Sequence, residues 1–207
     1  MSEQFKQKRP LRSLATIQPG YPFRGKLPID SNGDAYVVQF RHIILGERLS
    51  DKDAKALDRV KLPGRKHPNY LCPSDLIFMA KGTRNHAAVI ADVPSNTVCT
   101  PNFYHIRLKP EVARLLPEFL AWQLNHVDAQ RYFASCSQGS AAPSITKSQL
   151  GDLPIVIPSI EQQKLMVKLS DAATSEQKLL SQLMENRRRM LDAVGHHILH
   201  PDHFTGN

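Results

Sequence analysis

The sequence predicts an α+β protein: a mixed α/β domain over residues 1–158, one long coiled-coil helix over 159–200, and a flexible tail over 201–207. Three observations support this. Short apolar runs punctuated by Pro, Gly and charged turns fill the first part of the chain. A small-residue loop, Gly139-Ser140-Ala141-Ala142-Pro143-Ser144, and a Pro-bracketed strand, Leu153-Pro154-Ile155-Val156-Ile157-Pro158, close that part. Beyond it no Pro or Gly intervenes until Gly195, which only a long helix exploits.

Residues 11–18 carry apolar side chains three apart and are read as a short helix or helical turn, stopped by Pro19-Gly20. The turn-rich loop Tyr21-Pro22-Phe23-Arg24-Gly25-Lys26 follows, then a strand over 35–40 and a charged, turn-rich stretch over 46–70. Residues 76–80 and 87–90 read as two strands around the polar turn Lys81-Gly82-Thr83-Arg84-Asn85-His86, a hairpin with a basic tip. A further strand covers 104–108. Pro117 then opens a helix over 118–124, because the amide it lacks has no partner in a first helical turn. Thr146 and Gln149 spell a reciprocal cap for a one-turn helix ended by Gly151, and Ser159 and Gln162 spell another for the long helix.

From Leu165 the heptad positions of that helix read Leu165, Leu169, Ala172, Glu176, Leu179, Leu183, Asn186, Met190 and Ala193, an apolar seam with two polar interruptions. At 1.5 Å per residue, residues 161–199 would run about 58 Å, more than the domain could cover. The seam formed by Leu165, Leu169, Ala172, Leu179, Leu183 and Met190 is therefore expected to pair with another chain. The alternative folds the helix back as part of its own domain's core.

The net charge of +8 is unevenly placed. Residues 1–160 hold 21 Lys and Arg against 13 Asp and Glu, whereas residues 161–207 hold 6 of each. The excess lies wholly in the domain and favours a polyanion, nucleic acid above all. Cys72, Cys99 and Cys136 are odd in number and widely spaced, which speaks for reduced thiols rather than a disulfide framework or zinc knuckle. A polar start and the lack of an apolar run near the ~18 residues of a membrane span point to a cytoplasmic protein without membrane contact.

Catalytic signatures are few. Gly-x-Gly-x-x-Gly and P-loop patterns and the Asn/Asp-Pro-Pro-aromatic signature of amino-methyltransferases are absent, so no cofactor is expected. Asp53-Ala54-Lys55, with Asp30 upstream, matches part of a metal-nuclease pattern, and charge-rich runs produce such triplets freely. His196, His197, His200 and His203 could ligate a metal, but they sit at a helix end expected to fray. Four loops are better candidates for touching double-stranded DNA, since Arg and Lys grip phosphates while Arg, Asn and Gln read base edges. They supply Tyr21, Arg24 and Lys26; Lys61, Arg65, Lys66 and His67; Lys81, Arg84, Asn85 and His86; and Gln138 and Ser140, where small neighbours admit a phosphate.

The chain resembles the DNA-specificity subunits of type I restriction-modification enzymes. The resemblance rests on Leu14-Ala15-Thr16-Ile17-Gln18-Pro19-Gly20-Tyr21, on Asp75-Leu76-Ile77-Phe78-Met79-Ala80-Lys81-Gly82, and on Pro143-Ser144-Ile145-Thr146-Lys147, Leu153-Pro154-Ile155 and Pro158-Ser159-Ile160-Glu161-Gln162-Gln163. It implies a non-catalytic subunit whose target-recognition domain (1–158) and spacer helix (159–200) place adenine methyltransferase subunits and an ATP-driven restriction subunit on a bipartite target. Members usually carry two such domains and two spacers, and this sequence has one of each. Two copies are thus expected to pair as a homodimer, with antiparallel helices and a palindromic, interrupted target. A ~58 Å spacer caps the half-site separation at roughly 17 base pairs. A coiled-coil adaptor that reads no DNA and a free-standing metal-dependent nuclease are the competing readings.

Overall fold

The computed structural model describes residues 7–23, 25–44, 46–50, 57–62, 68–82, 85–136 and 144–200. Gln7–Pro10 (β1) leads into one helical turn, Leu11–Leu14 (α1), and then Ala15–Pro19 (β2). The helical turn expected within 11–18 is present but confined to Leu11–Leu14, and residues 15–18 continue as a strand. From Ala15 burial alternates, with Ala15 and Ile17 inside and Thr16 outside, which is the period of a strand. The β-branched Thr16 and Ile17 suit that conformation.

Six strands follow: Ala35–Val38 (β3), Asp58–Val60 (β4), Leu76–Met79 (β5), Ala87–Val89 (β6), Thr97–Cys99 (β7) and Phe103–Leu108 (β8). Pro117–Asn125 (α2), Val127–Cys136 (α3), Lys147–Asp152 (α4), Pro154–Ile157 (β9) and Ile160–Leu199 (α5) complete the described elements. The fold is mixed α+β with a long C-terminal helix. Both reciprocal caps form. The Thr146 hydroxyl accepts from the Gln149 amide at 3.2 Å while the Thr146 amide donates to the Gln149 side chain at 2.8 Å; Ser159 and Gln162 exchange the same two bonds at 3.3 Å. The chain divides into two compact units, Met1–Lys168 and Leu169–Asn207. The tail expected over 201–207 lies outside the described residues.

The first unit is organised by a four-stranded antiparallel sheet ordered β2-β8-β5-β6. Alternation along β5 sends Leu76 and Phe78 to one face and Ile77 to the other. Leu76, Phe78, Val89 and Ile106 join Phe119, Leu120, Leu124 and Phe133 of α2 and α3 in the larger core. Ile77, Ala88 and Phe103 build a second core with Val38, Leu71 and Cys99, beside a three-stranded sheet ordered β4-β3-β7 in which β3 and β7 are parallel. Burial among these apolar groups pushes the Cys99 thiol up to about 12 and keeps it protonated.

Side-chain amides close what the ladders leave open. Asn125 of α2 takes the Ala87 amide and gives to the Ala87 carbonyl, both at 2.8 Å, so a helix residue acts as a further partner for β6. Gln123 does the same for Val156 of β9, both at 2.9 Å. Gln163 is the buried residue of α5. Its oxygen accepts from the Leu116 amide at 2.9 Å and its nitrogen donates to the carbonyls of Arg114 at 2.7 Å and Pro158 at 3.0 Å, which fastens the first turns of α5 to the domain. Met166 and Val167 pack, partly buried, against the larger core.

Asp75, 2% exposed, sits at the start of β5. It is bonded by His105 Nε2 at 2.7 Å, by Arg107 at 2.7 and 2.6 Å, and by the Cys72 amide at 2.7 Å. Burial pushes its carboxyl upward, but the Arg107 and His105 bonds and the Cys72 amide outweigh that and hold it below its ordinary 3.8. The unfolded chain thus takes up this proton first as pH falls. The stabilisation is complete above pH 3.8 and is lost as pH drops through the lowered value. Asp75→Asn leaves the half-exposed Arg107 guanidinium without its counter-charge, weakens the bonds to His105 and the Cys72 amide, and is expected to cost about 1.5–3 kcal/mol in urea unfolding at pH 7. Below the lowered value the gap between variant and wild type should close.

Candidate nucleic-acid interface

Antiparallel pairing brings four strand ends to one end of the four-stranded sheet. The registers Pro19↔Tyr104, Met79↔Phe103 and Phe78↔Ala87 put the end of β2, the start of β8, the end of β5 and the start of β6 side by side. The turn Thr100–Phe103 is the hub of this edge. Its Phe103 carbonyl takes the Gly20 amide at 2.9 Å, and its Asn102 carbonyl takes the Ala80 amide at 2.9 Å. Ile145 donates to Ala80 at 2.8 Å and Lys81 bridges Ser144, which ties the hairpin tip to the chain beyond the small-residue loop. The Tyr104 ring closes the corner: burial raises its hydroxyl above the ordinary 10.0, opposed by a bond to the Lys147 backbone.

Two glycines make this geometry possible. A Cβ on Gly20 would stand 2.0 Å from the Thr100 carbonyl oxygen, so no side chain fits where β2 passes the hub. Gly82 turns the hairpin at φ +99, a conformation that a side chain disfavours.

Of the candidate residues, Lys81 stands exposed at the hairpin tip of this edge, while Lys26 is exposed on the segment between Tyr21 and Ile29, whose Leu27 packs against the core of the three-stranded sheet. Tyr21 and Asn85 do not face solvent. Tyr21 is 7% exposed and packs its ring 4.8 Å from Phe23, while Asn85, 8% exposed, donates to the Met79 carbonyl at 2.9 Å and accepts from Gln130 through its backbone at 2.8 Å. Both are buried and bonded within their loops, unlike the exposed contact residues expected. His86 is half-buried beside them. Lys61 is exposed elsewhere: it follows Val60, which pairs with Ala35 at the end of β3 away from the hub. The run it opens returns to Leu71, whose amide donates to Thr97 at 2.8 Å, again away from the hub. Arg24, Arg65, Lys66, His67, Arg84, Gln138 and Ser140 lie outside the described residues. So do Asp53 and Lys55 of the nuclease-like triplet, whereas Asp30 caps its own turn by accepting the Asn32 amide at 2.8 Å.

The edge also contains groups that no sequence motif singles out. Asn102 is half-buried in the hub and Lys147 is exposed at the start of α4. The Thr100-Pro101-Asn102 stretch carries a turn signal, but its meeting with Gly20 and Ala80 is non-local. Most described arginines of the domain are committed elsewhere: Arg12 to Asp152, Arg41 to Asp58, Arg48 to Glu118, Arg107 to Asp75, and Arg59 to the Gly33 carbonyl. Lys26, Lys81 and Lys147 have no ion pair among the described residues, which leaves them available to an anion. No group of three His, Cys, Asp or Glu side chains that could hold a metal occurs among the described residues, nor is any described helix long and apolar enough to cross a membrane. The rings of His196 and His200 lie 4.7 Å apart.

No family model and no curated protein matches the sequence. Solved structures do. A type I restriction-modification S subunit from M. genitalium superposes with a TM-score of 0.58 at 15% identity, over 98% of this chain and 48% of that one. The HsdS subunit from Thermoanaerobacter tengcongensis gives 0.59 at 14% identity, over 88% and 41%. A chain from a structure describing complex assembly and conformational transition of the type I R-M system gives 0.61 at 14% identity, over 94% and 44%. This chain has the fold of those S subunits and spans less than half the length of each.

The close approach at Gly20 yields a test of the hub. Gly20→Ala is expected to force β2 and the Thr100–Phe103 turn apart at a cost of about 1–3 kcal/mol, read by denaturant unfolding. The amides of Gly20 and Ala80 should lose hydrogen-exchange protection together.

Proposed function

We propose that this chain is a half-size DNA-specificity subunit of a type I restriction-modification system, working in the cytoplasm as a homodimer. Its domain reads one half of a bipartite duplex target and holds adenine methyltransferase subunits, and an ATP-driven restriction subunit where present, over that target. The subunit supplies recognition and position, and its partners supply the chemistry.

The convergence of separate loops on one sheet edge, in a chain with the S-subunit fold, carries this reading. Exposed lysines at Lys26, Lys81 and Lys147 offer themselves to phosphates, and the neighbouring Asn102 is of a type that reads adenine. A domain carrying the whole +8 of the chain attracts duplex DNA. The exposed leucines of α5, Leu165, Leu169, Leu179 and Leu183, at 55–66%, support pairing through that helix. A twofold pair of such subunits requires an interrupted target with inverted symmetry.

Long-read mapping of adenine methylation in a host expressing the complex should return such a motif. A motif without inverted symmetry would overturn the homodimer, and the absence of any new methylated motif would overturn the assignment. Changing Lys26, Lys81 and Lys147 to Gln, assayed with the methyltransferase subunit bound, should weaken binding to all DNA sequences alike. It should also lower the slope of log affinity against log salt by about one unit for each lysine that neutralises a phosphate. An unchanged slope would remove these lysines from the interface.

A further inference from the structure

Resting on the dimer reading above, we infer that α5 pairs with a second copy of itself in one antiparallel register, with the dyad between Ser181 and Gln182 and reciprocal Glu176–Arg187 ion pairs on either side of it. A symmetry in the exposed face of the helix carries the inference. At 100° per residue, the exposed apolar side chains between Leu165 and Ile198 fall in one stripe, and that stripe reads alike from either end.

Counted equally outward from the dyad, Leu180 mirrors Leu183 and Leu179 mirrors Met184, all between 53% and 74% exposed. Further out, Ala172 and Ala173 mirror Leu191 and Met190. An antiparallel pair in this register therefore sets two small side chains of one helix against two large ones of the partner, which is the complementarity close packing needs. Leu169 mirrors Val194, and Leu165 mirrors Ile198. No other register keeps every apolar layer opposite another.

The two charged residues within the stripe obey the same symmetry. Glu176 and Arg187 are equidistant from the dyad and opposite in sign, so each faces its complement on the partner. Neither forms an ion pair within the chain among the described residues. The adjacent Arg188 and Arg189 do, with Glu185 at 3.1 and 2.9 Å. A parallel pair would instead set Glu against Glu and Arg against Arg, which penalises that arrangement.

The stripe also departs from the heptad seam. Its layers are spaced by about 3.7 residues, close to the 3.6 of a straight helix, so Arg187 and Val194 replace Asn186 and Ala193 on the pairing face. Because the dyad lies between Ser181 and Gln182, the two Ile160 positions would stand about 65 Å apart along the pair.

Charge reversal tests the register. Glu176→Arg and Arg187→Glu chains, sedimented separately, should each dimerise at least about tenfold more weakly than wild type, because like charges meet at both sites. Mixed in equal amounts they should form a heterodimer of wild-type strength. Dimers indifferent to either reversal would overturn the register while leaving the homodimer standing. A monomeric wild-type chain would overturn the homodimer and the register with it. Direction is read separately with Leu169→Cys and Val194→Cys chains in a Cys72→Ser, Cys136→Ser background. Oxidation should cross-link only their mixture, and cross-linking of either chain with itself would overturn the antiparallel arrangement.

Discussion

The ladder between β5 and β8 is the constraint on which the rest of the domain depends. At one end the Met79↔Phe103 pair decides where the hairpin tip and the hub turn emerge. At the other, Asp75 is fastened to His105 and Arg107 of β8, so ionic geometry and ladder register demand the same alignment. A slip by one residue would turn Leu76 and Phe78 away from the helical core and Ile77 into it. It would also move Ala80 off the Asn102 carbonyl, and the loop edge would come apart. Interior ion pairs add little stability over an apolar substitute; the value of this one lies in excluding alternative registers.

The same economy governs the cations. Arginine suits bidentate and bridging bonds, and the described arginines of the domain are largely occupied in joining elements: Arg41 links the turn after β3 to β4, Arg12 links α1 to α4, and Arg48 reaches Glu118 of α2. Lysines are left at the loop edge. A net charge therefore overstates what a polyanion can use, and the placement of a few ammonium groups states it better. In the function proposed, lysines would grip phosphates without reading sequence, which leaves base discrimination to groups such as Asn102 or to shape.

Local signals are legible in the sequence and non-local ones are not. Pro117, the two reciprocal caps and the basic hairpin each follow from residues close together in the chain, and all are present in the fold. The helix α3 leaves a weak signal because the break at His126 separates it from α2 by a single residue, and its polar face hides Ala129 and Phe133. The strand over 15–19 is hidden because Leu11, Leu14 and Ile17 continue a spacing of three across the point where the helical turn ends and the alternation of Ala15 and Ile17 begins. Asn85 shows the limit most plainly. Its type and place in a basic tip suggest a reader of bases, yet the residue is buried, its side chain donates to the Met79 carbonyl and Gln130 holds its backbone carbonyl, and no sequence spacing relates residues 85 and 130. The loop edge is likewise hidden, since its unity comes from the hub turn and not from any shared motif.

Under the proposed function, charge gives the two parts of the chain opposite responses to salt. The domain carries all of the +8, while residues 161–207 are neutral overall. A neutral stripe lets two helices approach without long-range repulsion; its apolar layers gain from burial that salt does not weaken, and salt screens only the Glu176–Arg187 pairs among them. Binding of the domain to DNA releases counterions and falls steeply with salt. Raising the salt should therefore release the nucleic acid well before it separates the subunits, and recognition can be abolished and restored without taking the dimer apart.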